Sequence, residues 1–207
     1  QALAEILQKV GMPVSLALGL LPVLVAAEFY GPKVGAICGG FFGITSLIIA
    51  VVYSSAIPLY SVAINPLVSV LPRILTGVAS GLVYKGVKSK IKNEKKSVAA
   101  ASVAATVSGV LTNTVLFLGF FFLFAGGKTY GSVTVDFRWI MASVVSINAV
   151  IELVSFSVIV PLVVGALEKS DAGEALRLID RAMRDGRDAQ VFARETAAHM
   201  RLLMMAR

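Results

Sequence analysis

The chain has 207 residues, of which 57% are hydrophobic and only 15% are charged; a soluble domain carries about 25% charged residues, so the composition predicts an integral membrane protein. The formal net charge of +7 lies in a few basic blocks and does not indicate nucleic-acid binding. A single cysteine, Cys38, excludes an internal disulfide, and with a single histidine, His199, the chain lacks the residues of a zinc site.

Five apolar runs are long enough to cross a bilayer, which requires about 20 helical residues. The predicted spans are Val10 to Phe29, Pro32 to Ser54, Pro66 to Val87, Ser97 to Ala125 and Phe137 to Leu167. Residues 1–10 are polar and helix-forming, without a signal-peptide pattern. The expected fold class is therefore all-α: a polytopic transmembrane helical bundle with five visible spans and a short helical tail.

Lysines predict how the spans are oriented in the cell membrane. Six of them lie between spans three and four, at residues 85–96, and such a basic loop stays in the cytoplasm. Counting outward from this loop puts residues 31–33 and the C-terminal tail in the cytoplasm, and residues 54–65 and 126–136 outside. The same lysines are expected to contact anionic membrane lipid, and nucleic acid is not an expected partner.

Spans two and three carry glycines four residues apart on one helix face. The pattern consists of Gly35, Gly39 and Gly43 in span two, with Gly77 and Gly81 in span three. Small residues at this spacing let two helix backbones approach closely. They predict close packing within the chain or, alternatively, a groove in which another subunit docks.

Two charged residues are predicted at membrane depth. Arg73 lies seven residues into span three, where an arginine costs roughly 2.5–3.5 kcal/mol on insertion scales and must face a partner or a wet cavity. Glu152, in span five, is the one acidic residue expected deep in a span. Either the two form a structural ion pair, or Arg73 binds a substrate carboxylate, because a guanidinium holds a carboxylate through two hydrogen bonds.

Amide side chains add a second polar element to the spans. Asn113 lies in span four, and Asn148 precedes Glu152 by four residues in span five, so these two share one helix face. An amide offers both a donor and an acceptor, which suits a ligand rich in hydroxyl and amide groups. Hydrogen bonding between helices is the alternative interpretation.

The external loop at residues 54–65 contains Tyr60 and ends in Asn65. It is predicted to be either a lid over an outward-facing pocket or a connector at the level of the lipid headgroups. The candidate substrate-binding residues are thus Tyr60, Asn65, Arg73, Asn113, Asn148 and Glu152.

Three stretches carry a more specific match: LPVLVAAEFYGPKVGAICGGFFGITSLI (21–48), INPLVSVLPRILTGVASGLVYK (64–85) and GVLTNTVLFLGFFFLF (109–124). In this order they resemble the substrate-binding S component of an energy-coupling factor (ECF) vitamin transporter, most of all its pantothenate type. The resemblance implies capture of a small carboxylate vitamin from outside and favours the lid interpretation. It also implies partners, namely a transmembrane coupling subunit and two ATPase subunits, because the chain has no Walker A loop. No cofactor, metal or enzymatic activity is expected.

The chain departs from this family at its start. The family has six transmembrane helices with both termini in the cytoplasm, and predicted span one aligns with the second of them. Residues 1–10 reach only about 15 Å as a helix, too short to cross. The expectation is that the family's first helix is missing, which puts in doubt the docking surface that it offers to the coupling subunit.

The tail differs from the body in its basic residues. Residues 1–170 hold ten lysines and two arginines, whereas residues 171–207 hold seven arginines and no lysine. This predicts a boundary near Ser170 between a transmembrane domain and an amphipathic helical tail of foreign origin; a native tail is the alternative. Residues 174–207 resemble the helical third domain of the bacterial DNA polymerase III clamp-loader subunit (gamma/tau), which implies helix packing and no clamp-loading activity.

Two further interpretations stay open. One is a structural or assembly bundle that binds no ligand and uses its polar residues between helices. The other is an S component for a different B vitamin. An intramembrane serine enzyme is disfavoured, because the single histidine lies in the tail and the chain contains no G-x-S-x-G motif.

Overall fold

The computed structural model describes residues 19–91, 94–131, 133–144, 147–169, 171 and 173–181; the side chains of residues 94–96, 142–144 and 147–152 are outside this description. Its helices are α1 (Leu20–Tyr30), α2 (Pro32–Tyr53), α3 (Tyr60–Ala63), α4 (Pro66–Ser69), α5 (Leu71–Lys88), α6 (Glu94–Ala125), α7 (Phe137–Val144) and α8 (Ile147–Glu168). Two short strands, β1 (Thr129–Tyr130) and β2 (Val133–Thr134), form an antiparallel pair between α6 and α7. The predicted all-α membrane bundle is confirmed.

Three predicted spans match helices long and apolar enough to cross a membrane. In the described part of the chain these are Pro32–Tyr53, Ser97–Ala125 and Pro66–Lys88, the last of which consists of α4 and α5 with Val70 between them. Predicted span one corresponds to α1 from residue 20 onward, while residues 10–18 lie outside the described part. Predicted span five corresponds to two helices, α7 and α8, and the two residues between them are not described.

A single residue, Gly31, separates α1 from α2. Its φ of 99° is a conformation that residues with a side chain rarely adopt. Pro32 follows at the first position of α2, where a proline is pre-set for helix and lacks only an N–H that would have no helical partner. The chain therefore reverses sharply here, and α1 packs against α2, α5, α6 and α8.

Helix α5 is central, because it packs against α2 on one side and α6 on the other. Glycines make the α2 contact close. A Cβ added at Gly77 would meet the backbone of Gly35, and one added at Gly39 would meet the backbone carbonyl of Arg73. At Gly43 the added atom would lie 2.7 Å from the Cα of Val70, and Gly81 packs in the same way against Pro32. All five glycines of the predicted pattern thus lie in contacts within the chain.

The first part of the tail packs against the bundle. Residues 173–181 are helical, and the Asp171 side chain accepts a hydrogen bond of 2.9 Å from the Glu174 N–H, as an N-cap does. Ala175 is buried in a cluster with Val163 of α8. Residues 182–207 lie outside the described part, so the domain boundary and the clamp-loader likeness remain predictions.

Candidate functional site

Arg73 lies in the first turn of α5 with its side chain buried at 8% exposure. Its guanidinium carbon lies 4.5 Å from the ring centroid of Phe117 on α6 and 5.9 Å from that of Phe42 on α2. Its Nη1 donates a hydrogen bond of 3.1 Å to the Val68 carbonyl. Aromatic faces attract a cation through their negative π-electron density, so the charge is held between two helices.

A proline explains why a backbone carbonyl is available to Arg73. A helical N–H donates to the carbonyl four residues earlier, but Pro72 has no N–H to offer Val68. The helical run predicted for span three is interrupted here, because α4 ends at Ser69 and α5 begins at Leu71. The guanidinium of Arg73 supplies the donor that the proline lacks. Sequence reasoning predicted Arg73 but not this break.

Two buried polar atoms lie on the helix faces that contact Arg73. Asn113 precedes Phe117 by four residues on α6, so it lies beside that ring on the same helix face. Ser46 follows Phe42 by four residues on α2 and shares a helix face with it in the same way. Within the described part of the chain, Ser46 Oγ and Asn113 Oδ1 are buried and have no hydrogen-bond partner. Such atoms are few in native proteins, so both suit hydrogen bonding with a ligand. Sequence reasoning missed Ser46, whose one signal is a hydroxyl within an apolar span.

The predicted external loop is folded and packed. It contains α3, and Val62 on this helix lies with Val68 in an apolar cluster that includes Phe121 of α6. The Tyr60 ring is 6.2 Å from that of Tyr53, and burial raises the pKa of the Tyr60 phenol, which therefore stays neutral. This loop therefore packs against α6 near α4, and the choice between a lid and a connector stays open.

Asn65 has a local structural role. Its Oδ1 accepts a hydrogen bond of 3.0 Å from the Leu67 N–H and caps α4. Asn148 and Glu152 lie on α8, but their side chains are outside the described ones. The predicted pair of Arg73 with Glu152 therefore stays a prediction.

Glu28 is a buried acidic residue that sequence reasoning missed. Its side chain on α1 is 3% exposed. Its carboxylate accepts hydrogen bonds from Ser102, from Thr106 at 3.0 Å and from Ser80 at 3.5 Å. Glu28 is buried near the end of its helix, so the expectation that Glu152 is the one acidic residue deep in a span stays a prediction. Glu28 lies near the end of predicted span one, where acidic residues ordinarily reach water, so hydropathy alone gave no signal.

A cleft of about 380 Å³ lies beside Glu28, at the end of α5 opposite Arg73. Tyr84, Lys88 and Glu168 form part of its wall. Lys88 and Glu168 make an ion pair with a 2.5 Å separation, and the Tyr84 hydroxyl donates to Glu168 at 3.1 Å. These contacts tie the end of α5 to the end of α8.

Comparison with known proteins supports the likeness that the sequence shows. The family model described as "ECF transporter, substrate-specific component" matches residues 1–164. The chain is also 26% identical over 170 residues to the pantothenic acid transporter PanT of Lactococcus lactis subsp. cremoris, an alignment that covers 76% of this chain and 80% of that protein. The family is one of transport proteins, so the expectation of no enzymatic activity is confirmed. The chain belongs to the substrate-specific components of ECF transporters, the multi-pass membrane subunits for vitamin uptake.

Proposed function

We propose that the chain captures pantothenate and that Arg73 binds its carboxylate. The observation that carries this proposal is the setting of the guanidinium, buried between two aromatic rings and one backbone carbonyl. A hydrogen bond between two charged groups is roughly twice as strong as one between neutral groups. A ligand carboxylate therefore binds the guanidinium more strongly than the neutral Val68 carbonyl does.

The rest of pantothenate matches the neighbouring polar atoms. The vitamin has hydroxyl groups and an amide besides its carboxylate. Asn113 Oδ1 accepts a hydrogen bond from an N–H or O–H, and the Ser46 hydroxyl both donates and accepts. Asn148 and Glu152 on α8 remain predicted members of this site. The likeness to a pantothenic acid transporter agrees with this ligand chemistry.

The vitamin enters from outside in this proposal. The lysine-rich end of α5, with Lys85 and Lys88 in its last turn, is the proposed cytoplasmic end. Arg73 precedes Lys85 by twelve residues, so about 18 Å of helix separates them, which puts Arg73 toward the outside. Residues 54–65, including Tyr60 and Asn65, lie at that end and serve as the lid.

Uptake requires partners in this proposal. The loaded subunit associates with a transmembrane coupling subunit and two ATPase subunits, and it topples in the membrane to release the vitamin inside. ATP hydrolysis belongs to those partners, because the chain contains no Walker A loop. The C-terminal tail and the lysine-rich loop face the same, cytoplasmic side.

A thermal-unfolding screen of the purified chain against the B vitamins tests the ligand. Pantothenate is expected to raise the melting temperature most, since a ligand at a concentration one hundred times its dissociation constant adds about 2.7 kcal/mol of stability. Larger stabilisation by another carboxylate vitamin would show that pantothenate is the wrong ligand, without contradicting the membership of the transporter family. No stabilisation by any B vitamin would favour the structural bundle.

A further inference from the structure

Phe117 on α6 makes the closer of the two aromatic contacts of Arg73. Its ring centroid lies 4.5 Å from the guanidinium carbon, whereas that of Phe42 lies 5.9 Å away. A cation is attracted to an aromatic face within about 6 Å of the ring centroid, so Phe42 is at the limit of this range and Phe117 is well inside it. The Arg73 side chain is buried, which makes such a contact stronger than at an exposed site. Phe117 is therefore the ring that holds the guanidinium more firmly.

The Phe117 ring is itself restrained by further aromatic rings. Phe121, one helical turn along α6, lies 5.8 Å from Phe117 between ring centroids, and Trp139 on α7 lies 5.7 Å from Phe121. Aromatic pairs at about 4.5–7 Å attract each other beyond the effect of apolar burial. Phe121 is fully buried, so its ring has little room to move. The position of the Phe117 ring is thus supported from α7 as well as from its own helix.

An aromatic ring suits an arginine that must also bind a ligand. A guanidinium holds a carboxylate through two parallel hydrogen bonds, which requires one orientation of a long side chain with many rotamers. A carboxylate of the protein would fix that orientation but would occupy the same N–H groups. An aromatic face attracts the charge without an acceptor atom, so it restrains the guanidinium and does not compete with the carboxylate of a ligand.

From these contacts we propose that Phe117 is a positioning residue for vitamin binding, which holds the Arg73 guanidinium in the orientation that a ligand carboxylate requires. This role rests on the proposed function, since it takes Arg73 as the residue that binds the carboxylate. It assigns part of the preference for an anionic vitamin to a side chain that has neither a charge nor a hydrogen-bonding group. Loss of the ring therefore weakens the binding of the carboxylate and spares the rest of the ligand.

The test compares two ligands that differ at the carboxylate. Pantothenol is the alcohol analogue of pantothenate and has a CH₂OH group in place of the carboxylate. With the purified full chain, isothermal titration calorimetry gives the dissociation constant of pantothenate, and displacement of radiolabelled pantothenate gives that of pantothenol. The wild type is expected to prefer pantothenate. Phe117→Leu should weaken pantothenate binding by about tenfold and pantothenol binding by less than about twofold, as expected for loss of one buried cation–π contact.

Further variants separate positioning from packing. Phe117→Tyr keeps an aromatic face and should bind pantothenate nearly as well as the wild type. Phe124→Leu is the matched control, because Phe124 lies in the same apolar cluster but about 10 Å further along α6. It should leave the preference for pantothenate over pantothenol unchanged. Phe117→Met is a second apolar replacement without a ring, and it decides the question where Phe117→Leu does not fold.

A double variant repeats the test with pantothenate alone. In an Arg73→Gln background the Phe117 ring has no cation to hold, so adding Phe117→Leu should cause almost no further loss of pantothenate affinity. A further loss as large as the one in the wild-type background would show that Phe117 acts on the ligand directly or through packing, and it would overturn the proposal.

Two other results would overturn the positioning role and leave the proposed function intact. One is an equal loss of affinity for pantothenate and pantothenol in Phe117→Leu, and the other is an unchanged affinity for pantothenate in that variant. In both cases the wild type still binds the vitamin. A wild type that binds neither ligand would refute the proposed function and the positioning role together.

Discussion

The two buried charges beside α5 are stabilised in different ways. Arg73 is held by two aromatic faces and one backbone carbonyl, whereas Glu28 is surrounded by hydroxyl groups that all donate to it. Each of these contacts of Arg73 is with a neutral group, and a guanidinium binds a carboxylate more strongly than it binds a neutral carbonyl. The partners of Glu28 saturate its carboxylate. A ligand anion is therefore expected at the first region and a closed, chain-linking contact at the second.

The largest effect is expected at Arg73. Arg73→Gln should weaken pantothenate binding by about thirtyfold or more, since loss of one member of a buried charge pair costs about 2–5 kcal/mol. The affinity of Arg73→Lys should lie between those of the wild type and of Arg73→Gln, because lysine keeps the positive charge but cannot form two hydrogen bonds to one carboxylate. Isothermal titration calorimetry measures both. Arg138→Gln, which alters an exposed arginine at the start of α7, is the control and should bind as wild type.

The structural interpretation of Arg73 predicts a different outcome. If Arg73 only pairs with Glu152, Arg73→Gln alone should destabilise the protein by leaving a carboxylate unpaired, and adding Glu152→Gln should restore stability. A stable double variant that binds pantothenate with wild-type affinity would remove both residues from the site.

The close contact of α2 with α5 supports both regions, and Gly77→Ala should disturb it. The added methyl group meets the backbone of Gly35, and overpacking of this kind costs about 1–3 kcal/mol. The melting temperature should fall clearly. Gly86→Ala on the same helix meets nothing within 4 Å and should leave stability unchanged or slightly raised. Equal effects of the two substitutions would contradict the contact.

Asn113→Ala should affect binding more than stability. Because Oδ1 of Asn113 has no hydrogen-bond partner in the described part of the chain, its removal breaks no hydrogen bond that Oδ1 makes there. Loss of one ligand hydrogen bond costs about 1 kcal/mol, or roughly a fivefold weaker affinity. Asn65→Ala should have the opposite pattern and affect stability more than binding. It removes the cap of α4 and should lower the free energy of unfolding by about 1 kcal/mol. A stability loss in Asn113→Ala with unchanged affinity would favour the interhelical interpretation.

The smallest effect is expected at the far end of α5. Lys88→Met breaks the ion pair with Glu168, whose side chains are 35% and 30% exposed. Pairs of this kind contribute about 0–1 kcal/mol, and the contribution should shrink further in high salt. Chemical unfolding at two salt concentrations measures it. A loss of stability as large as that of Gly77→Ala would show that the ion pair between Lys88 and Glu168 contributes more than the exposure of its side chains indicates.

Hydropathy predicted the long helices well because each must cross an apolar layer of fixed thickness. The predicted run Ser97 to Ala125 agrees with the apolar part of the observed helix, which has the same bounds. The interruption before α5 was not predicted, although Pro72 was visible in the sequence. Pro72 removes one helical hydrogen bond there, and the guanidinium of Arg73 supplies the donor instead, a contact between side chain and backbone that hydropathy does not describe.

The polar sites were predicted unevenly for a similar reason. Arg73 stands out in any apolar run, because a charge there demands an explanation. Ser46 and Glu28 acquire meaning only from their neighbours on other helices. The hydroxyls around Glu28 are contributed by residues 52 to 78 positions away in the chain, so no local pattern could reveal the site.

The glycine contacts between α2 and α5 have a mechanical consequence. Packed helices ordinarily slide past one another by changing side-chain rotamers, but backbone lies against backbone at Gly39 and Gly77. No flexible side chains separate the two helices at these positions, so we expect α2 and α5 to move together as one rigid unit. Any increase in volume beside Arg73 must then be accommodated by displacement of α6 or of residues 54–65.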